Sequence, residues 1–454
     1  VAEFGAINNL TDNTHDENDM GLSSGKGRIF RNPSGRSGRI VPDIRSGDSS
    51  EKVASVESEN RPLLDVGVST ETVKADLDPE TDFCWAHVTG SYRRERSIEG
   101  LLLGVSVGDA LGLGRYGLTR RSALRMFGRW PLDYCMIPGV GIVSSDTHRM
   151  LMTLQSILRS RSQLELFRRN LAMRLRFYLC SIPVMAGRAT LIAALRLCVG
   201  TPVDHSGINS DENSPLINGL TIASVLQGTG HSVERWVAVS SELTHTKPEA
   251  VESAVLIART AYLAIMTDPT DFNSISLIDR LINITEDAQL EVWLKELRVG
   301  LEEKLGTHAM ASRLGWGDSI PGTAGPTAIM SIYSWLRHHD DFEKVVEHAI
   351  LLGGDSVTLG ALAGGLAGLN LGVKEIPERW LSKLWSWPNN RQWLHEMTER
   401  FTDWPHGIED LMRAPAMPTR PLSQLVRSGV LAMGVAIGSA IRLPWRFSNW
   451  IVGC

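Results

Sequence analysis

The run from Ala349 to Gly372, AILLGGDSVTLGALAGGLAGLNLG, constrains the fold more than any other part of the chain. Gly353 and Gly354 interrupt a hydrophobic stretch, one acid follows at Asp355, and the remainder is Ala, Gly and Leu with almost nothing polar. Ser356 and Thr358 suit a helix start, where backbone N–H groups lack intrahelical partners. Side chains this small let neighbouring helices approach closely. A carboxylate at the mouth of a buried helix is costly unless something pairs with it. The residues alone leave two readings open: a capped core helix, or a metal or anion site inside an all-helical domain.

The rest of the chain supports an all-α class, a compact multi-helix orthogonal bundle with strand patterns nearly absent. IEGLLLGVSVGDALGLG, from Ile98, places Leu101, Leu102, Val105 and Leu111 at helical spacing, with Gly104 and Gly108 free to contact another helix. Ser144, Ser145, Asp146 and Thr147 form an oxygen-rich cluster ahead of a second apolar stripe, Met150 to Leu158. The same design thus occurs at 144–147 and at 355–358. If the two helix starts meet, they make an oxygen-lined pocket at two positive helix ends. Further helices are expected at Gly187–Leu197, Leu216–Leu226, from Glu249, over an amphipathic Leu277–Leu305, at Thr327–Leu336 and at Phe342–Leu352.

Residues 1–85 are rich in Asn, Asp, Ser, Gly and charge, with isolated apolar residues, and are expected to be disordered. The helical domain is expected over 90–410, and 411–454 reads as an appended helix and tail. The apolar run Val430–Ile441 is shorter than the ~20 residues needed to span a bilayer, so membrane spanning is not expected. A net charge of −5 and the lack of a base-reading motif argue against a nucleic-acid partner. The 5 cysteines are scattered, with no C-x-x-C pair, which suits reduced thiols and a cytoplasmic setting. No Walker, Rossmann or G-x-S-x-G signature occurs with the right flanks.

Five segments, in order, resemble the ADP-ribosylglycohydrolase family: EGLLLGVSVGDALGL, VSSDTHRMLMTLQSIL, SGINSDENSPLIN, LTHTKPEAVESA and AILLGGDSVTLGALAGGLAGLNLG. The resemblance spreads over most of residues 97–445. It implies an all-helical fold holding two magnesium ions between an S/T-D-D cap and a D-T-D-T cap. In the family the ions bind the ribose hydroxyls of an ADP-ribosyl group, and the bond to the acceptor side chain is hydrolysed. Mg²⁺ requires hard oxygen donors in an octahedron, with carboxylates to balance its charge.

Carried across by position, the resemblance implies a partial ligand set of Ser144, Asp146, Asp355 and Thr358, with Asp146 and Asp355 as the family-equivalent catalytic carboxylates. Ser145 and Val357 stand where the family has Asp, and Tyr116 where it commonly has Glu. Asn213, Gly353 and Gly354 match its substrate-binding positions. Ser214 and Asn218 replace a Gly and an Arg, and His148 a common carboxylate. Asp109 is expected to be a hydrogen-bonded structural acid, and His245 a helix-start residue held by backbone groups. Two carboxylates are too few to neutralise two adjacent divalent ions, so one ion or none is expected. The implied function is a protein that keeps the fold, has lost or reduced its hydrolase activity, and still takes ADP-ribose or an ADP-ribosylated protein. Two alternatives stand beside it: an active magnesium-dependent ADP-ribosyl hydrolase, and a non-catalytic partner-binding protein.

Overall fold

The computed structural model describes residues 91–181, 183, 185–385, 391–402, 422–423 and 425–437. The expected disordered segment 1–85 and much of the expected tail 411–454 lie outside these. The described residues are mainly helical, with few strands. In chain order the helices are α1 (Ser91–Leu113), α2 (Arg120–Phe127), α3 (Ser145–Leu158), α4 (Leu164–Cys180), α5 (Arg188–Cys198), α6 (Pro215–Leu226), α7 (Val233–Glu242) and α8 (Pro248–Met266). There follow α9 (Ser274–Asn283), α10 (Ala288–Glu302), α11 (Thr307–Arg313), α12 (Ala324–Arg337), α13 (Phe342–Ile350), α14 (Ser356–Leu371), α15 (Glu378–Leu381) and α16 (Arg391–Thr402). Residues 425–437 are also helical.

The glycine-rich run becomes α14, and every one of its residues from Ser356 to Leu371 is buried. Its partner is α1. The two lie antiparallel, with Gly104 facing Gly364 and Gly108 facing Gly360. A Cβ on Gly108 would lie 1.9 Å from the Gly360 carbonyl oxygen, and one on Gly104 would lie 2.2 Å from that of Gly364. The backbones therefore touch directly, and only glycine fits at these contacts. Around this pair pack α6, α8, α12 and α13, so this apolar helix sits where it is covered on all sides.

The expected single amphipathic run over 277–305 is two helices, α9 and α10. The chain breaks at 284–287 because Asp287 Oδ1 accepts from Leu290 N at 2.8 Å and starts a new helix. Four two-residue strands tie loops together. β1 (Leu118–Thr119) pairs antiparallel with β3 (Gly353–Gly354), and β2 (Gly141–Ile142) pairs parallel with β4 (Leu384–Trp385). Gly353 and Gly354 both have positive φ, 80° and 81°. A Cβ on Gly354 would meet the Ile320 carbonyl oxygen at 2.1 Å. The Gly-Gly pair is thus a turn that lets two loops close on the start of α14.

Candidate functional site

The starts of α3 and α14 meet beside the C-terminal end of α1. Asp355 caps α14, its Oδ1 accepting from Thr358 N at 3.1 Å. The cap of α3 comes from elsewhere. Ser144 makes no side-chain cap bond, and its Oγ is buried without a hydrogen-bond partner. Instead Asp109, wholly buried on α1, accepts from Ser144 N at 2.8 Å, Thr147 N at 3.0 Å and Thr147 Oγ1 at 2.6 Å. Asp109 is therefore the structural acid expected, and the oxygen-rich run at 144–147 is capped by it more than by itself.

Thr358 joins the two remaining acids. Its Oγ1 lies 2.8 Å from Asp146 Oδ2 and 3.0 Å from Asp355 Oδ2. A hydroxyl carries one proton, which Thr358 shares between the two carboxylates. Burial, reinforced by the charges of Asp109 and Asp355, pushes the Asp146 carboxyl up to about 8. The raised carboxyl holds a proton more readily than an exposed acid, while the Thr358 hydroxyl donates toward Asp146 and Asp355. Asn213 Nδ2 completes the set, donating to Asp355 Oδ2 at 2.8 Å.

These groups border a cavity of about 540 Å³, within the ordinary range for a small-molecule site. Tyr116, Ser145, Asp146, Asn213, Gly354, Asp355, Val357 and Thr358 all line it. Ser144 and Gly353 do not; Gly353 is occupied in the β1–β3 pairing. Ser145 Oγ donates to the Met185 carbonyl at 2.9 Å. Val357 is buried in a small apolar cluster with Leu113, Ile142 and Leu431, the last from helix 425–437. Burial, then the charges of Asp355, Asp146 and Glu212, push the Tyr116 phenol up to about 12, so it is a neutral donor at the cavity wall.

Sequence reasoning misses Glu212. Its Oε2 accepts from Ala189 N at 3.1 Å, at the start of α5, and faces the cavity. His245 Nε2 lies 3.8 Å away. That ring, together with the Ala189 N–H, holds Glu212 below the usual carboxylate range against the opposing effect of burial. His245 itself is not held by backbone groups through its ring: Nδ1 is 2.7 Å from Thr244 Oγ1, and Nε2 has no hydrogen-bond partner among the described residues. The position of Glu212 directly before Asn213 is the only signal in the sequence. Arg188, also on the cavity wall, and the 319–322 loop, drawn in by the Ile320–Gly354 bridge, are missed for the same reason: their partners are remote in the chain.

The donor set fits a pair of magnesium ions poorly. Two carboxylates share one hydroxyl, Ser145 Oγ is spent on a backbone carbonyl, and Val357 offers no oxygen. Among the described residues, no group of three or more His, Cys, Asp or Glu side chains is arranged to hold a metal.

A family model described as ADP-ribosylglycohydrolase matches residues 90–409. An uncharacterised protein of Archaeoglobus fulgidus is 26% identical over 321 residues, covering 67% of this chain and 96% of its own length. The ADP-ribosyl-[dinitrogen reductase] glycohydrolase of Rhodospirillum rubrum is 23% identical over 307 residues, 65% of this chain and 92% of that protein. ADP-ribosylhydrolase ARH3 of Homo sapiens is 26% identical over a shorter stretch, 33% of this chain and 47% of that protein. Among solved structures, an ADP-ribosylglycohydrolase-related protein complex superposes with a TM-score of 0.50 at 22% identity, covering 71% of this chain and 99% of the other, a likeness of fold. The family match encloses every residue of the cavity wall. The chain belongs to the ADP-ribosylglycohydrolase family.

Proposed function

We propose that this protein keeps the ADP-ribosylglycohydrolase fold and a pocket for ADP-ribose or an ADP-ribosyl group, and has lost hydrolysis through a pair of magnesium ions. The observation that carries this reading is Val357. Where the resemblance calls for an acid, its side chain packs with Leu113, Ile142 and Leu431. It therefore brings no oxygen donor to the cavity wall that it borders.

The binding half of the proposal rests on the cavity wall. Arg188 supplies a positive charge toward a diphosphate, while the starts of α5 and α14 are already taken by Glu212 and Asp355. Asp355 and the Oδ1 of Asn213, whose Nδ2 donates to Thr327 and Asp355, offer acceptors to ribose hydroxyls. Tyr116 is a neutral donor, and Gly354 leaves the wall open to close approach. Residues 90–410 are taken as the unit that carries this pocket.

Titration calorimetry with ADP-ribose, with and without Mg²⁺, tests the reading. Binding with an affinity indifferent to Mg²⁺ is expected. Absence of binding to any ADP-ribosyl compound would favour a partner-binding protein. A second reading, hydrolysis with a single divalent ion, is favoured by one observation: Asp146, Thr358 and Asp355 converge at the cavity wall. An ion there would have to break the Thr358 bridge, so Mg²⁺-dependent tightening of ADP-ribose would support it over the first.

A further inference from the structure

The start of α5, on the cavity wall, is built to hold an anion. Its N-cap is Gly187, which has no side chain to cap with, and a Cβ there would lie 2.5 Å from Glu212 Oε2. The space that the glycine leaves takes a carboxylate from elsewhere: Glu212, 23 residues on from Ala189, accepts from its N–H at 3.1 Å. Two buried groups favour charge of the same sign at this point. Arg149, on α3, donates to Thr190 Oγ1 in the first turn of α5, and its positive charge reaches Glu212. His245 is wholly buried, and its Nε2 has no hydrogen-bond partner among the described residues. That nitrogen lies 3.8 Å from Glu212 Oε2, aimed at the seat but too far for a hydrogen bond. Helix start, guanidinium and imidazole thus converge on one place that suits negative charge.

A phosphate drawn to that place meets a carboxylate already in it. The two cannot share the same N–H group, and their like charges repel. Among the described residues Arg188 is the one cation on the cavity wall, against Asp146, Glu212 and Asp355. Resting on the reading of this cavity as an ADP-ribosyl pocket, we propose that Glu212 is its specificity-determining residue: it fills the anion seat at the start of α5 and turns ligand phosphate away from it. Arg188 alone then meets a diphosphate, and an ADP-ribosyl ligand is held more through its nucleoside and ribose parts than through its phosphates.

Titration calorimetry of the full chain with ADP-ribose and with adenosine tests this. Glu212→Gln keeps an oxygen for the Ala189 N–H and removes the charge, so thermal unfolding is expected to be nearly unchanged. Its affinity for ADP-ribose is expected to rise about tenfold over the parent, with adenosine unaffected. Glu212→Gly empties the seat and is expected to raise the affinity for ADP-ribose at least as much. Binding of ADP-ribose by the variants alone would carry the same meaning. Equal or weaker ADP-ribose binding in both variants, beside a parent that binds, overturns the role of Glu212 and leaves the ADP-ribosyl reading standing. A rise for adenosine as large as that for ADP-ribose overturns it too, because adenosine has no phosphate to be turned away. Absence of ADP-ribose binding by the parent and by both variants overturns both readings.

Discussion

Thr358 holds one hydroxyl between two acids, and that small arrangement accounts for much of the site's chemistry. The hydroxyl donates to Asp146, whose carboxyl burial and neighbouring charge nonetheless push up from 3.8 to about 8. The linkage has a definite sign. A carboxyl raised in the folded state binds its proton longer than the unfolded chain does. Its contribution to stability is complete below the unfolded value and is lost as pH rises through the folded one. The slope is up to ~1.4 kcal/mol per pH unit between these limits. Urea unfolding across that window should therefore show stability falling as pH rises, and Asp146→Asn should flatten the slope. A parent protein with no slope would mean that Asp146 is ionised throughout.

The residues of the site differ in how far the sequence reveals them. Asp355 is legible because a lone acid after Gly-Gly and before Ser-Val-Thr has few local roles other than a cap. The cap of α3 is not, because its acid, Asp109, lies in the middle of an apolar helix 35 residues away from Ser144. Local composition suggests that Ser144 caps its own helix, yet its hydroxyl makes no cap bond. Glu212 sits in a polar loop whose composition resembles any other, and only the fold brings it to the start of α5.

At the scale of elements, the α1–α14 contact is the part that the sequence states most openly. Small residues recur every four positions on both helices, and the structure seats them against each other. Gly108→Ala gains about 1 kcal/mol in helix propensity. It also places a methyl 1.9 Å from a backbone oxygen that cannot move away alone. The helices must separate, so a net loss of about 1–3 kcal/mol is expected by denaturant unfolding. An unchanged midpoint would refute the close packing. The break between α9 and α10 is less legible, because the apolar period continues across it and only Asp287 marks the new start.

Helix 425–437 is anchored by a buried guanidinium. Arg427 NH1 lies 2.5 Å from His148 Nε2, and its NH2 donates to the Val143 carbonyl. His148 Nδ1 is 2.7 Å from the Ser144 carbonyl, so Nδ1 carries the proton and Nε2 accepts. Burial, then the Arg427 charge, pushes this ring down to about 3, and it stays neutral at ordinary pH. Arg427→Ala removes hydrogen bonds from a charged donor to buried acceptors, at a cost of about 1.5–3 kcal/mol. Limited proteolysis should then cut near this helix first. Uniform protection would show that Leu431 and Val435 suffice to hold it.

At the scale of the whole molecule, the fold of the family is kept, and Ser145 and Val357 are proposed to stand where its site has acids. The backbone features are intact: the facing glycines, the Gly-Gly turn and two meeting helix starts. Reversion of three side chains, Tyr116→Glu, Ser145→Asp and Val357→Asp, should therefore restore Mg²⁺ uptake measured by calorimetry, at some loss of stability where the new Asp at 357 displaces apolar contacts. No uptake by the reverted protein would show that these three positions do not account for the loss.

The central claim is that the unaltered protein lacks the family's magnesium-dependent hydrolysis. The direct measurement is release of ADP-ribose from an ADP-ribosylated arginine or serine peptide, followed with and without Mg²⁺. The account predicts no Mg²⁺-dependent release above the peptide's spontaneous rate. Magnesium-dependent turnover by the unaltered chain would contradict it.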